Sequence, residues 1–378
     1  MKILLGYYYY PYPFDIKKWV DRWLLRVQNA TRHEIQSYCL TLNPPGRRLT
    51  WKDLDARWKR GDKELLSFYE NMAKTADDFD VFINWNGINL HPDFVRQLPV
   101  FKVYGCFDDP EQSEDLSKPV AASYDLCLVG NIAEIDTYHS WGVDNVEFWP
   151  MGFFEDDYNP ALTKEDILNG TRDTDISLIC ERENPWRTQR LDAYVRAFPD
   201  GSYYGKGWPN GFLPESNKVP FYQRTKIGPN FHNSTGPINF RTYVLPANGV
   251  MQLCDNKRYL GKIFELNKEV AGFDSVEEAI DLTKYYLSHD DERRAIAAAG
   301  WEKACKEYNE IAVFEKAVDA IKRTMINSPS EKKPGPIRLC SAIRFKRLKT
   351  VHRRIWHSMK SAVNLLKGCF RAWNRTGR

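Results

Sequence analysis

The chain has 378 residues, 43% of them hydrophobic and 28% charged, a composition that excludes a disordered polymer and accommodates two domains of ordinary size. No apolar run reaches the roughly 18–20 residues of a membrane-spanning helix, which argues against an integral membrane protein. The net charge of +4 averages unlike parts: residues 331–378 hold fourteen Lys and Arg against one acidic residue, so the body carries 40 basic against 49 acidic side chains.

Residues 2–7 (KILLGY) are too short for the apolar core of a signal peptide and read as a first strand, followed at once by the YYYYPYP run. Further strands are expected over 35–41, 80–85, 100–105, 124–129 and 145–149, with helices over 16–30, 54–75 and 132–140. Such alternation implies βαβ units and a parallel sheet covered on both faces. Ligands of such sheets sit at the carboxyl ends of the strands. Near residue 155 the PMGFFEDDYNP segment interrupts the pattern. A second series follows, with a helix over 162–169 and segments at 175–180, 187–198, 201–204, 226–228, 250–253 and 269–273. Three helices close it, at 276–288, 290–308 and 311–326. The domains expected are therefore 1–155 and 156–328. The eight cysteines form no CxxC pair, which points to neither zinc nor disulfides and suggests a reducing cytoplasm.

The stretch 225–256, TKIGPNFHNSTGPINFRTYVLPANGVMQLCDN, reads as strand, polar loop, short helix and strand. A helix start beside a polar loop offers free backbone N–H groups and positive dipole, which suits a phosphate and suggests a sugar-nucleotide site. Beyond the linker-like 327–336, apolar residues from Ile343 to Trp373 recur every three to five positions among Lys and Arg. This is a basic amphipathic helix. Residues 338–375 are expected to rest on an anionic membrane surface, placing the protein on the inner face of the membrane; nucleic acid phosphates and packing against protein are the other readings.

FDDPEQSEDL (107–116), YDLCLVG (124–130), YHSWGVDNVEFWPMG (138–152), YYGKGWPNG (203–211), INFRTYVLPANGVMQLCD (238–255) and the run from Gly272 to Tyr308 together resemble the spore-maturation (CgeB-type) glycosyltransferases, over roughly residues 75–320. The resemblance implies an α/β architecture of GT-B type. Two Rossmann-like domains with parallel sheets face across a cleft, the second holding a nucleotide-diphosphate sugar and the first a hydroxyl acceptor, glycan or lipid-linked. It implies retention of configuration, with the leaving phosphate assisting the incoming hydroxyl, and a nucleotide sugar as substrate with no separate cofactor. Related retaining enzymes carry two glutamates eight residues apart, at positions that fall here on Gly236 and Val244.

Within that frame, Arg182 and Arg187 follow the first strand of the donor domain and are expected to stabilise a leaving diphosphate. Gly205, Lys206 and Trp208 are further donor-binding candidates after a strand: the glycines at 205 and 207 allow close backbone approach, and Trp208 offers a stacking surface for a base. Asn230, His232, Asn239, Arg241 and Thr242 are candidate phosphate or sugar contacts, although Asn239 also suits a helix cap. On the acceptor side, Tyr9, Tyr10, Asn84, Asn86 and Asp108 are expected to line the facing wall. Asp109 is a candidate proton acceptor, with His91 as the alternative for an inverting reaction. Glu265 reads as a solvated surface carboxylate. No DxD motif in a strand–loop context is present, so a metal-independent reaction is expected.

Overall fold

The computed structural model of the protein describes residues 1–9, 15–42, 49–85, 89–184 and 187–327. The expectations for Tyr10, Asn86 and the basic segment 329–378 lie outside these residues. Strands β1 (Lys2–Tyr7), β2 (Glu34–Cys39), β3 (Val81–Trp85), β4 (Phe101–Cys106), β5 (Leu126–Val129) and β6 (Val146–Phe148) form one sheet in the order β2-β1-β3-β4-β5-β6. Strands β7 (Thr174–Ile179), β8 (Ser202–Tyr204), β9 (Thr225–Asn230), β10 (Met251–Cys254) and β11 (Ala271–Gly272) form a second, ordered β11-β10-β9-β7-β8. Every pairing is parallel. The architecture is thus two Rossmann-like α/β domains of GT-B type.

The strand sequences explain why both faces are covered. In β1 and β3, successive apolar residues point to opposite sides, and both sides are buried. Leu4, Phe82 and Tyr104 pack with Leu54, Leu65, Tyr69 and Met72. These come from helices Trp51–Arg60 and Lys63–Ala76, where one helix was expected. Gly61 breaks it with φ +67°, and Asp62 caps the second helix by accepting from Leu65 N at 3.2 Å.

On the other face, Ile3, Leu5, Ile83 and Val103 meet Val20, Trp23, Leu24 and Val27 of helix Ile16–Ala30. They also meet Val313, Phe314, Val318 and Ile321 of the last described helix, Glu310–Asn327. That helix was expected in a domain running to residue 328. Its apolar stripe instead completes the first domain's core, so the chain crosses back near Asn309. The two crossings touch each other, Phe153 bridging to Asn309. Arg26 ties both to the first domain through Glu310 (2.6 Å) and Glu155 (3.2 Å). Helix Glu215–Gln223, with Pro220 inside, had no counterpart in the sequence reading. Among the described residues, no helix is long and apolar enough to cross a membrane.

Candidate functional site

From β7 the second sheet grows both ways, towards β8 on one side and β9 on the other. The crevice beyond the carboxyl ends of β7 and β9 is the place where open α/β sheets bind ligands. Three arginines meet there. Arg241 spans the gap, donating to Ile179 O (3.1 Å), Phe231 O (3.3 Å) and Asn230 Oδ1 (3.1 Å). Arg187, 6% exposed, donates to Glu181 O (2.6 Å) and more weakly to Phe231 O (3.5 Å). Its Nε is buried with no partner among the described residues. Arg190 donates to His232 O (2.9 Å) and pairs with Asp255 (2.8 Å).

Asp255 is the buried carboxylate among these guanidiniums. Glu181, the next acid, already pairs with Lys206 at 2.8 Å. Burial, with Arg241 alongside, holds the Arg187 guanidinium below its usual pKa. Arg187 is buried while Arg190 and Arg241 are partly exposed, and a buried cation without its own acid is costly unless an anion joins it. The cluster is therefore suited to a diphosphate.

Behind the arginines runs a closed hydrogen-bond chain. Asn230 Nδ2 donates to Gln252 Oε1 (3.0 Å) and Thr242 Oγ1 (3.2 Å), and Thr242 Oγ1 lies 3.2 Å from His232 Nε2. His232 Nδ1 is 2.6 Å from Asp255 Oδ1, which assigns it the proton, and His232 N donates to Asp255 Oδ2 at 2.9 Å. Asn239 Nδ2 donates to Asn230 Oδ1 (2.9 Å), and Asn239 Oδ1 accepts from Thr242 N (3.2 Å). Cys254 adds a thiol beside His232 and Asp255. The surrounding guanidiniums and the existing His–Asp bond make this trio a poor cation site.

Burial pushes the His232 pKa down, opposed by Asp255 and reinforced by Arg241 and Arg187. At Asp255 burial works the other way, but His232 and Arg190 hold the carboxyl below its usual value. Both folded pKa values lie below the unfolded ones, so the unfolded chain takes up protons first as pH falls. The contribution to stability is complete above the ordinary histidine value of about 6.5 and declines below it. The melting temperature is accordingly expected to fall between pH 7 and pH 5, and a flat profile there contradicts this network.

Arg187, Asn230, His232, Asn239, Arg241 and Thr242 are thus brought together, but the helix start was misjudged. Helix Arg241–Ala247 has only seven residues, and its first amides are used internally, Thr242 N by Asn239 and Tyr243 N by Phe240 O. What gathers beside this helix is arginine side chains rather than free backbone amides.

Arg182 stands apart, paired with Asp192 at 3.0 Å and lying 5.3 Å from the Trp208 ring. Trp208 is 6% exposed, stacks on Tyr203 at 5.2 Å and donates to Cys180 O at 2.8 Å, so it is core rather than a platform for a base. Gly205, at φ +125°, lies so close to Cys180 O that any Cβ would overlap it; its role is in the turn.

In the first domain, Asp109 is 2% exposed and held by three hydroxyls, accepting from Ser117 Oγ (2.6 Å), Tyr138 OH (2.6 Å) and Ser113 Oγ (2.9 Å). Buried and turned towards internal hydroxyls, it anchors the turn after β4 rather than facing an acceptor. His91 is equally committed, stacked on Trp58 (4.8 Å) and Trp51 (5.5 Å) and 3.5 Å from Asp55. Asn84 is 1% exposed, donating to Tyr124 OH at 2.6 Å below the surface. Tyr9, half-buried, donates its N–H to Thr41 Oγ1 at 2.7 Å, and Asp108 is half-buried beside Asp109. Val244 is 8% exposed in an apolar cluster with Tyr243, Leu260 and Phe264. Neither it nor Gly236, pressed on Asn131, leaves room for a glutamate.

Sequence reasoning missed Arg190 and Asp255. Arg190 follows Arg187 by three residues on one helix face, a spacing that pairs side chains. Asp255 directly follows an apolar strand, at a carboxyl edge.

The two-domain architecture defines a GT-B scaffold with a cluster of arginines at the sheet edge of its second domain. Residues 184–319, a little over a third of the chain, match the model of a family described as glycosyl transferase-like. No curated protein sequence matches. Similar solved structures include sucrose-phosphate synthase from Thermosynechococcus elongatus, with a TM-score of 0.58 and 11% identity over 86% of this chain and 100% of that one. A glycosyltransferase from Rickettsia africae gives 0.57 and 11%, over 86% and 99%. Anabaena HepE in complex with UDP gives 0.56 and 10%, over 85% and 100%. At such identities the likeness establishes the fold.

Proposed function

We propose that the protein is a glycosyltransferase that takes a sugar from a nucleotide-diphosphate donor and passes it to a hydroxyl acceptor. The observation that carries this reading is the meeting of three guanidiniums at the ends of β7 and β9, Arg187 buried and Arg190 and Arg241 partly exposed, around the one buried carboxylate of Asp255. The segment matching the glycosyl transferase-like family contains Arg187, Arg190 and Arg241. UDP is the first donor nucleotide to try, since HepE is described in complex with UDP and with UDP-glucose.

In this reading Arg187 and Arg241 stabilise the negative charge that grows on the leaving diphosphate as the sugar–oxygen bond breaks. Fixed donors in a water-poor crevice do this without reorganising. The arginines supply the counter-charge that a metal would otherwise provide, so the transfer is metal-independent. With Asp109 and His91 committed elsewhere, the leaving phosphate takes the acceptor's proton, the retaining course that the CgeB-type resemblance implies. The acceptor is a glycan or a lipid-linked alcohol held by the first domain. Residues 338–375 attach the protein to an anionic membrane surface from the cytoplasmic side.

Val244 and Gly236 favour a second reading, a nucleotide-sugar-binding protein without turnover. Incubation with a panel of sugar nucleotides separates the two. The transferase reading expects a nucleoside diphosphate to be released, and expects that same product to raise the melting temperature. At a hundredfold excess over Kd a ligand contributes about 2.7 kcal/mol. Stabilisation without release supports the second reading, and neither effect contradicts both.

A further inference from the structure

The turn formed by Ser234, Thr235 and Gly236 is where the second domain grips the first. Asn131, just beyond β5, aims its Nδ2 amide at Ser234 Oγ (3.0 Å), Thr235 Oγ1 (3.0 Å) and Asp109 O (3.2 Å). Thr235 Oγ1 donates in turn to Glu134 Oε1 at 2.6 Å. Glu134 is 5% exposed and Asn131 1%, so the first domain's side of these bonds is buried, while Thr235 on the second domain's side is exposed. Gly236 completes the fit, because a Cβ there would overlap Asn131 Oδ1.

Both ends of this turn are rooted in the basic crevice. Two residues before Ser234, His232 is held by Asp255, and Arg190 donates to the His232 carbonyl. Three residues after Gly236, Asn239 bonds Asn230, and Arg241 follows in the site itself. A turn so short, fixed at both ends, cannot move at the domain interface without disturbing the arginines.

We propose that Asn131 and Glu134 are positioning residues for the donor site. They clasp the Ser234–Gly236 turn, so that filling the arginine crevice and closing the two domains are one coupled equilibrium. The proposal rests on the donor reading above. Coupling of this kind is reciprocal: a tighter clasp raises nucleotide affinity, and bound nucleotide draws the domains together by the same factor. Neither residue touches the diphosphate; each acts through the turn.

The test is a calorimetric titration of UDP into the full-length protein and its variants, with X-ray scattering of each with and without UDP. N131A and G236A are each expected to weaken UDP binding about tenfold. The double variant is expected to match N131A alone, because the added methyl and the lost amide act on one contact. Scattering should report a larger radius of gyration for the unliganded variants, reduced again by saturating UDP. T235S keeps the hydroxyl and should bind as the wild type does, whereas T235V should not. A purely structural role for the turn would lower melting temperatures without this pattern. UDP affinity within twofold of wild type in N131A, G236A and T235V overturns the clasp and leaves the donor reading standing. A wild type that binds no nucleoside diphosphate overturns the donor reading and the clasp with it.

Discussion

Replacing Arg187 with glutamine is expected to weaken nucleoside diphosphate binding by roughly 10- to 150-fold, the range for losing a buried hydrogen bond to a charged partner, about 1.5–3 kcal/mol. The side chain is 6% exposed and faces other guanidiniums, so its charge is unscreened by water and poorly matched by acid. For the same reason R187Q should not destabilise the unliganded protein much. Removing one of several crowded cations relieves repulsion even as it loses the bonds to Glu181 O and Phe231 O. The contrast to measure is a near-normal melting temperature without ligand beside a lost response to UDP. R182Q is the control, expected to change affinity less than threefold, because Arg182 is occupied by Asp192 and Trp208. Equal losses in both variants would place the diphosphate elsewhere on the β7 edge.

The second large effect concerns stability rather than chemistry. D109N is expected to cost about 3 kcal/mol or more in urea denaturation, because an amide sets a donor against hydroxyls that themselves donate to the carboxylate. Three side chains converge on Asp109, from Ser113, Ser117 and Tyr138. Their shared partner fixes the turn that carries Asp108 and the 3.2 Å carbonyl contact with Asn131. Had Asp109 been a general base, the variant would fold normally and lose turnover. Wild-type stability with abolished activity would restore that assignment.

The alternation of strands and helices was legible because buried parallel strands are short apolar runs, and because the crossover helices carry plain apolar stripes. Two features were not. The helix Glu310–Asn327 looks locally like a continuation of the second domain. Only its partners, Trp23 and the β1–β3 face, reveal that it returns to the first. A stripe tells which side is buried but not against what. The site divides in the same way. Arg187, Arg241 and the polar side chains at 230–242 follow from strand ends and residue type. Trp208 and Asp109 were misread because an aromatic or a carboxylate at a strand's end has the same sequence signature whether it faces ligand or core. Here Cys180 O and three hydroxyls claim them. The Asn131–Thr235 contact spans 104 residues of chain, and no local pattern announces it.

The most direct measurement compares UDP with uridine by titration calorimetry against the wild-type protein, at low and at high salt. If the guanidiniums at the β7–β9 crevice hold the donor by its diphosphate, UDP binds at least a hundredfold more tightly than uridine, and added salt weakens it. Equal affinity for the two, or no binding of UDP or any other nucleoside diphosphate, contradicts that account.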